Sequence, residues 1–416
     1  MVPADRSCRH SGALTLPRSL FGGPCASSYT ELGICQRPVA EPTLVIPYQP
    51  PLPPQYVELS TDELCTRIRA HKQAFGRRLV ILGHHYQQDD VIQFADFAGD
   101  SLKLSQQAAA QKDAEFVVFC GVHFMAESAD ILAESGAAVI LPDLTAGCSM
   151  ADMAALDQVE EAWERLTAAT DAKIIPITYV NSSAAIKAFC GRHDGACCTS
   201  SNARKVLEYA LSRGDKVLFL PDQHLGRNTA YAMGHPLESM ALYDPAIDGG
   251  GLRDEQIRDA RFLLWNGYCS VHQIFTPQQC ERVRQTDPAC KIIVHPECQW
   301  EVVQRADLAG STEYIIKVIT EAANGSRWAV GTEINLVNRL ANRYAGTKMV
   351  RSLADVQCLC STMYRIDPQH LLWSLDELSA GRVVNRIKVD EQTRHFARVA
   401  LQRMLDNVSA TPMAAK

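Results

Sequence analysis

From Tyr56 onward, short runs rich in β-branched residues alternate with longer amphipathic stretches. Short β-branched runs are typical of buried strands, and longer amphipathic stretches are typical of helices. The predicted strands are 78–82, 116–120, 173–179, 216–220, 291–295 and 328–330. The predicted helices are 61–75, 101–111, 159–169, 202–212 and 313–323. This alternation is typical of parallel sheets covered by helices, so the predicted fold class is α/β.

Polar residues recur in the same order after three of the predicted strands. Each strand ends in a polar pair, the next helix begins with a hydroxyl-bearing residue, and a cysteine follows in a loop. The polar pairs are His84 and Tyr86, Tyr179 and Asn181, and His295 and Glu297. The helix starts carry Ser101, Ser200 and Thr312, and the loop cysteines are Cys148, Cys269 and Cys358. The order predicts three copies of one α/β unit, with the middle copy enlarged.

Such repeats place chemistry at one edge of a parallel sheet. Ligands gather beyond the carboxyl ends of the strands, where helix N-termini also present free N–H groups. If the units pack around a pseudo-threefold axis, the polar pairs meet in one pocket with three anion-binding corners. That pocket suits a substrate with several carboxylates or a phosphate. Each residue also has a structural explanation, as an N-cap or a solvated histidine, but recurrence in all three units favours the functional interpretation.

Proline content separates the N-terminal segment from the rest. Ten of the twenty prolines fall within residues 1–54. Residues 1–56 are therefore predicted to be an extension outside the core. The repeats divide the remaining chain into predicted domains at 57–153, 154–272 and 273–416, and C-terminal helices of the last domain are expected to pack back on the body.

Composition excludes several classes of protein. The chain has 416 residues, of which 47% are apolar, and its formal net charge is −6. That balance argues against a disordered chain and against a nucleic-acid binder. No apolar run approaches the ~18 residues that cross a bilayer. The fifteen cysteines are an odd number at irregular spacing, and the N-terminus does not read as a secretory signal, so we expect reduced thiols and a cytoplasmic protein.

Some of these cysteines are candidates for binding metal. Cys148 and Cys269 stand in loops of small residues, and Cys358 and Cys360 form a close pair. Three thiolates with one open position are expected of a catalytic iron–sulfur cluster, whereas a fourth thiolate closes the site for a structural or electron-transfer use. Buried cysteines also act as small hydrophobic residues, which is the default for the others. Motifs for nucleotide phosphates, zinc proteases and radical clusters are absent from the sequence.

Taken together, an ordered set of motifs resembles the quinolinate synthase family, the A protein of bacterial NAD biosynthesis. The resemblance covers about residues 60 to 408 and includes the three cysteine loops. Its other motifs are Gly83-His84-His85-Tyr86-Gln87, Gly99-Asp100-Ser101-Leu102, Tyr179-Val180-Asn181-Ser182-Ser183-Ala184-Ala185, Leu220-Pro221-Asp222-Gln223-His224-Leu225-Gly226, Val294-His295-Pro296-Glu297 and Gly310-Ser311-Thr312.

The resemblance implies both a fold and a reaction. The family has three α/β/α domains around a central funnel, and each domain donates one cysteine to a 4Fe-4S cluster. It implies the condensation of iminoaspartate with dihydroxyacetone phosphate to quinolinate, with release of phosphate and two waters. No net redox change occurs, so the cluster is expected to act as a Lewis acid. A functional link to an L-aspartate oxidase that supplies the imine is a further expectation.

Matching this sequence to the family pattern implies roles for single residues. Cys148, Cys269 and Cys358 match the cluster ligands, although Cys360 is a departure from the pattern and either thiol could reach the iron. Tyr86, Glu297 and His295 are the implied catalytic residues, because a carboxylate beside a phenol is suited to tautomerisation and dehydration. The implied substrate-binding residues are His84, Ser101, Tyr179, Asn181, Ser200, His295, Glu297 and Thr312.

Two other functions remain open on the sequence. A non-catalytic iron–sulfur redox sensor would use Cys358 and Cys360 together as a closed four-thiolate site. A metal-free thiol enzyme would pair one nucleophilic cysteine with His295 or His272. The second alternative leaves the three recurrent cysteine loops unexplained.

Overall fold

The structure of the chain, a computed structural model, describes residues 49–133 and 136–406. Residues 1–48, and with them most of the predicted extension, lie outside the described residues. The end of that segment, from Gln49, already belongs to the body. Gln49 Oε1 accepts hydrogen bonds from the backbone of Leu144 and the side chain of Asn385, both at 2.9 Å. Tyr56 is buried and donates its hydroxyl to Asp376.

Within these residues the strands form three sheets, and in each the core strands are parallel. The first sheet has the order β14-β4-β3-β1-β2, the second β6-β5-β7-β9-β8 and the third β11-β10-β12-β13. The strands are β1 (Leu79–His84), β2 (Phe97–Gly99), β3 (Phe116–Cys120), β4 (Ala138–Ile140), β5 (Ile174–Tyr179), β6 (Ala196–Cys198), β7 (Lys216–Leu220), β8 (Met240–Tyr243), β9 (Phe262–Trp265), β10 (Lys291–Val294), β11 (Leu308–Ala309), β12 (Arg327–Gly331), β13 (Met349–Ser352) and β14 (Arg386–Ile387).

Helices accompany all three sheets. They are α1 (Pro54–Val57), α2 (Thr61–Phe75), α3 (Asp89–Ile92), α4 (Ser101–Ala110), α5 (His123–Leu132), α6 (Ser149–Asp152), α7 (Leu156–Ala168), α8 (Ala184–Arg192), α9 (Ala203–Leu211), α10 (Gln223–Ala232), α11 (Asp254–Asp259), α12 (Pro277–Thr286), α13 (Trp300–Arg305), α14 (Thr312–Glu321), α15 (Ile334–Arg343), α16 (Pro368–Ser379) and α17 (Glu391–Asp406). The α/β class is confirmed, and the predicted strands and helices are all present with small shifts at their ends. Among the described residues no helix combines the length and hydropathy that a membrane span needs.

The strand order repeats from sheet to sheet. In each sheet the first strand in sequence lies between the second and the third, as β1 lies between β2 and β3. The middle sheet adds β8 at one edge and the first sheet adds β14, so each has five strands and the third sheet has four. Every residue of β1, β5 and β7 is buried, as expected of parallel strands covered on both faces. The recurrence agrees with three copies of one unit, while the domain limits 57–153, 154–272 and 273–416 stay predictions.

The C-terminal segment returns to the first two sheets. β14 pairs antiparallel with β4 of the first sheet, and α17 packs along α8 beside the second. Gly191 makes this approach so close that a Cβ there would lie 2.0 Å from the carbonyl oxygen of Phe396. The helix is fixed by Arg394, whose guanidinium donates to the carboxylate of Asp130 at 2.5 Å and to its carbonyl at 2.8 Å. Asp130 also accepts the backbone N–H of Val389.

Replacing Asp130 by alanine should loosen this C-terminal segment. The change leaves the Arg394 guanidinium and the Val389 N–H without the acceptor that they share, so the free energy of unfolding should fall by about 2–3 kcal/mol. Denaturant unfolding followed by circular dichroism measures the effect. Glu115→Ala is the control, because it removes an ion pair with Arg78 that is exposed to solvent, and it should change stability little. Equal losses in the two variants would contradict the assignment.

Candidate functional site

Three central strands aim their carboxyl ends at the same cavity. His84 ends β1, Tyr179 ends β5, and His295 follows β10 directly. Each of these strands is the first of its sheet in sequence, and in the sheet it lies between the next two strands of the chain. Ligands of parallel sheets bind at this edge, so the repeated position already explains why the polar pairs meet.

The cavity is small and partly enclosed. Residues from all three sheets line it. The lining residues are His84, Tyr86, Asp100, Ser101, Val122, Phe124, Met125, Cys148, Met150, Tyr179, Asn181, Thr199, Ser200, Cys269, Val271, His295, Glu297, Thr312, Cys360, Thr362 and Met363. Every predicted site residue is among them except Cys358.

In both strand-end histidines, His84 and His295, Nδ1 faces the backbone N–H of the residue two positions later. The N–H of Tyr86 donates to Nδ1 of His84 at 3.1 Å, and the N–H of Glu297 lies 3.4 Å from Nδ1 of His295. Burial lowers the pKa of both imidazoles to about 3, so both rings are neutral at physiological pH. With Nδ1 as acceptor, the proton of each ring sits on Nε2, and His295 Nε2 donates to the hydroxyl of Ser200 at 3.1 Å. The rings therefore act as neutral donors.

Glu297 is the more deeply buried of the two carboxyl groups that line the cavity, the other being Asp100. Burial by itself would raise its pKa, but His295, His272 and the hydroxyl of Tyr179 stabilise the ionised form and lower the pKa to about 2. Nδ1 of His272 lies 2.6 Å from Glu297 Oε2, and both side chains are nearly inaccessible to solvent. The rings of His272 and His295 stack with centroids 4.6 Å apart. Glu297 Oε1, by contrast, has no hydrogen-bond partner among the described residues.

A chain of contacts joins Tyr86 to Glu297. The Tyr86 hydroxyl lies 2.9 Å from Thr332 Oγ1, which lies 3.3 Å from Nε2 of His272. His272 then meets Glu297 through Nδ1. Tyr86 is able to donate to Thr332, and Thr332 is able to donate to His272. Nδ1 of His272 is in ion-pair contact with Glu297 Oε2 but is not aligned for a hydrogen bond. From the sequence, His272 is named only as the partner of a nucleophilic thiol and Thr332 is not named, so sequence reasoning misses this connection.

The three predicted hydroxyls are not helix caps. Asp100 caps α4 by accepting the N–H of Lys103, and Ser311 caps α14 by accepting the N–H of Tyr314. Ser101 and Thr312 are thus the first helical residues, and Ser200 stands in the turn before α9. These residues line the cavity at or just before the starts of helices, where the helix dipole favours anions. The structural explanation as N-caps does not hold for these positions.

Three of the described cysteines line the cavity, each followed by a short helical turn. The turns are α6 and the 3₁₀ segments His272–Ile274 and Met363–Arg365. Backbone N–H groups of these turns point at the sulfur atoms of Cys148, Cys269 and Cys360. Such N–H groups stabilise a thiolate, because they place partial positive charge at the sulfur. Glu333 contacts the loop that carries Cys360. Its side chain caps α15, and its Oε1 accepts the N–H of Cys360 at 3.5 Å.

The structure brings Cys360, rather than the Cys358 that the family pattern implied, to the other two thiols. Cys358 is fully buried in the packing of the third unit, and its sulfur lies 3.5 Å from the carbonyl oxygen of Val356. A sequence signal for the difference exists. Cys148, Cys269 and Cys360 are each followed by serine, whereas Cys358 is followed by leucine. Serine begins the turn whose N–H groups reach the sulfur.

The donor set suits a metal. Burial raises the pKa of Cys148 to about 12 and also raises that of Cys269 and Cys360, so these thiols stay protonated without a nearby cation. Ligand atoms of Cys269, His272 and Glu297 lie within 4.8 Å of one another. Soft thiolates select iron–sulfur clusters, zinc or copper. The unpartnered carboxylate oxygen of Glu297 also fits a bound cation or a ligand that donates hydrogen bonds.

Fold and cavity together define a three-sheet α/β protein with thiols, neutral imidazoles and two carboxyl groups, of Asp100 and Glu297, around a central ligand site. The family model described as the quinolinate synthetase A protein matches residues 66–406. The chain is 56% identical over 355 residues to the quinolinate synthase of Acidobacterium capsulatum, which covers 84% of this chain and 95% of that protein. It is 55% identical over 349 residues to that of Streptomyces coelicolor, covering 83% and 89%. The chain therefore belongs to the quinolinate synthase family, enzymes of NAD biosynthesis.

Replacing Thr332 by valine tests the chain of contacts between Tyr86 and Glu297. The change keeps the shape of the side chain but removes the hydroxyl that joins Tyr86 to His272, so kcat for quinolinate formation should fall roughly tenfold with little change in KM. Thr320→Val is a matched control, because Thr320 also bonds a tyrosine hydroxyl, that of Tyr344, but at the surface. An unchanged kcat in Thr332→Val would show that the contacts do not serve the reaction.

Proposed function

We propose that this chain condenses iminoaspartate with dihydroxyacetone phosphate to quinolinate, releasing phosphate and two waters. The proposal is supported by membership of the family and by a cavity that combines anion-binding groups with an acid and a base. The single observation that carries it is the meeting of Tyr86 and Glu297 at one cavity, joined through Thr332 and His272.

A 4Fe-4S cluster is the proposed cofactor, held by Cys148, Cys269 and Cys360. This set replaces the predicted ligand Cys358, which does not line the cavity. One thiol comes from the segment after each sheet, and no fourth described cysteine lines the cavity. Three thiolates leave one iron without a protein thiolate, and when bound the cluster supplies a Lewis acid that polarises oxygen or nitrogen atoms of the substrate.

Substrate anions are proposed to bind at the three helix starts. Ser101, Ser200 and Thr312 offer hydroxyls there, and the adjacent backbone N–H groups favour carboxylate and phosphate. The neutral ring of His84 adds an N–H donor at Nε2. It is able to hydrogen-bond a substrate oxygen without adding a full positive charge. Asn181 Oδ1 is a buried acceptor without a hydrogen-bond partner among the described residues. It is available to a substrate hydroxyl or imine N–H.

Proton transfers are assigned to Glu297 and Tyr86, with His295 and Tyr179 in support. Glu297 is held as a carboxylate, so it is able to take a proton from a carbon or hydroxyl of the substrate. Withdrawal from water and the nearby carboxylate raise the pKa of Tyr86 well above its usual value, so the phenol keeps its proton and donates it. Thr332 and His272 give a route by which the two groups can exchange that proton between steps. His295 orients Ser200, and Tyr179 hydrogen-bonds Glu297.

Two further expectations remain part of the proposal. Iminoaspartate is an unstable imine, so an oxidase that acts on L-aspartate is the proposed source, and the protein is proposed to work in the cytoplasm. The redox-sensor alternative needs a fourth thiolate, and Cys358 lies away from the cavity. The alternative with a nucleophilic thiol needs an ionised cysteine, and burial opposes ionisation at all three cavity thiols.

Paired cysteine variants test the ligand set. Anaerobically purified protein is expected to hold about four irons and four sulfides per chain. Cys360→Ala should lose most of this iron, because one thiolate is removed from the cluster, whereas Cys358→Ala should keep it. Iron and sulfide analysis with an optical spectrum gives the comparison. Loss in both variants would favour a closed four-thiolate site, and absence of iron from the wild type would overturn the cluster.

Glu297→Gln separates catalysis from cluster binding. The amide keeps the size of the side chain but cannot accept the proton, so kcat should fall by about 10²- to 10³-fold. Iron content should stay at the wild-type level. Glu313→Gln is the control, since Glu313 pairs with His85 outside the cavity lining, and it should retain most activity. A sensor on this fold would tolerate both changes.

A further inference from the structure

The backbone around Tyr86 is held by a helix that belongs to another sheet. The carbonyl groups of His85 and Gln87 flank Tyr86 directly after β1. Arg339 of α15 donates to both of them, from Nη1 to His85 at 2.9 Å and from Nη2 to Gln87 at 2.6 Å. In the chain α15 lies between β12 and β13 of the third sheet, whereas β1 belongs to the first. One guanidinium therefore fixes the backbone on both sides of Tyr86.

Asn228 of α10 makes the same kind of contact around Glu297. Its Nδ2 donates to the carbonyl oxygens of Pro296 and Cys298, both at 2.8 Å. In the chain α10 follows β7 of the second sheet, whereas these carbonyl groups follow β10 of the third. The side chain is buried, and its Oδ1 has no hydrogen-bond partner among the described residues. A flipped amide would set Oδ1 against two carbonyl oxygens, so the hydrogen bonds fix the orientation.

The two donors stand at equivalent positions of their helices. Asp222 is the N-cap of α10, and Glu333 is the N-cap of α15. Asn228 and Arg339 each follow their N-cap by six residues. In both cases the carbonyl groups that they hold are the first and the third after the strand-end histidine. Neither capping nor helix packing requires this register, so its recurrence indicates a shared role.

The carbonyl group between these two also faces a side-chain donor at both sites. Asn335 Nδ2 donates to the carbonyl oxygen of Tyr86 at 3.1 Å, and Gln273 Nε2 donates to that of Glu297 at 3.5 Å. Three successive carbonyl groups around each of these residues are thus engaged by side-chain N–H groups. Because a peptide unit is planar, holding its carbonyl group also restricts the direction of the side chain that follows.

The third strand end, that of β5, is held in another way. The equivalent position of α5 is Ser128, whose hydroxyl donates inside its own helix to the carbonyl oxygen of Phe124 at 2.8 Å. The carbonyl group of Ser182, three residues after Tyr179, accepts from Lys187 of α8, the helix that directly follows β5. Within the described residues, the contact from another sheet is therefore found at the two residues assigned to proton transfer.

We propose that Arg339 and Asn228 are positioning residues, which direct Tyr86 and Glu297 toward the substrate from neighbouring sheets. This inference rests on the proposed function, in which Tyr86 and Glu297 transfer protons. Such transfer requires the acid and the base to stay within roughly 0.5 Å of the productive geometry. A donor on a neighbouring sheet makes that geometry depend on the packing of the units.

Arg339→Met and Asn228→Leu test the inference in the iron-loaded enzyme. Each variant keeps most of the bulk of the side chain but removes its N–H donors. The kcat for quinolinate formation should fall about tenfold while KM changes less than about twofold, because the acid or the base is displaced. Iron content per chain should stay at the wild-type level. Arg339→Lys keeps the charge but not the planar fork, so its kcat should lie between those of wild type and Arg339→Met.

Each position has a matched control. Asp89→Asn removes the charge that pairs with Nε of Arg339 at 2.6 Å, but it leaves the donors to the carbonyl groups. Ser128→Ala changes the residue that is equivalent to Asn228 but bonds within its own helix. Both controls should keep kcat near the wild-type value. Thermal unfolding shows whether each variant folds, and Asn228→Ala, which adds no volume to the core, repeats the test if Asn228→Leu does not.

Hydrogen exchange measured by mass spectrometry examines the two loops without turnover. The N–H of Gln87 closes the turn after β1, and the N–H of Cys298 closes the turn after β10, each at 3.0 Å. Arg339→Met should speed exchange in the first turn alone, and Asn228→Leu should speed it in the second turn alone. This crossed pattern does not depend on the reaction, so failure of the inference is distinguishable from failure of the proposed function.

The outcomes separate as follows from the two measurements. Crossed exchange with a reduced kcat supports the inference. Crossed exchange in variants of a wild type that forms no quinolinate would support the positioning of the two side chains and overturn the proposed reaction. Unchanged exchange in both variants, an equal rise in both turns, or crossed exchange with an unchanged kcat per iron would overturn the inference.

Discussion

A carboxylate that is almost fully withdrawn from water must be surrounded by donors, and this constraint organises the cavity around Glu297. His272 faces it at 2.6 Å, His295 stacks on His272, and Tyr179 adds a hydroxyl. These residues come from two different sheets and one cysteine loop. The ionised form is stable only when all of these elements are in place. The buried charge of Glu297 therefore depends on the packing of the units.

The three units share one backbone arrangement around the cavity but carry different side chains there. Each central strand ends at the cavity, but the strand ends carry His84, Tyr179 and His295, which differ in what they donate. In the first and third units the imidazole Nδ1 faces the backbone N–H two residues on. The backbone arrangement determines where each strand-end side chain lies, and the residue type determines which hydrogen-bonding group it presents to the cavity. This division lets a nearly symmetric frame hold an asymmetric substrate.

The environment of the three cavity cysteines depends on the turn that follows each of them as much as on their place in the chain. At Cys148, Cys269 and Cys360 a helical turn begins within three residues after the cysteine, and its N–H groups point at the sulfur. Cys358 has no such turn and is covered by apolar neighbours of the third unit. Two thiols separated by one residue thus have different environments. The same reasoning explains why most other cysteines of the chain behave as small core residues.

The sequence by itself determined the α/β class, the main strands and helices, and eleven of the twenty-one residues that line the cavity. These features follow from local patterns, because side-chain periodicity and strand-end polarity are written in neighbouring residues. It did not reveal short edge strands such as β11 and β14, which exist only where a neighbouring strand offers hydrogen bonds. Nor did it choose Cys360 over Cys358, or join Tyr86 to Glu297 through Thr332 and His272. Those outcomes depend on which way each side chain points once the units are packed, and only the tertiary structure decides that.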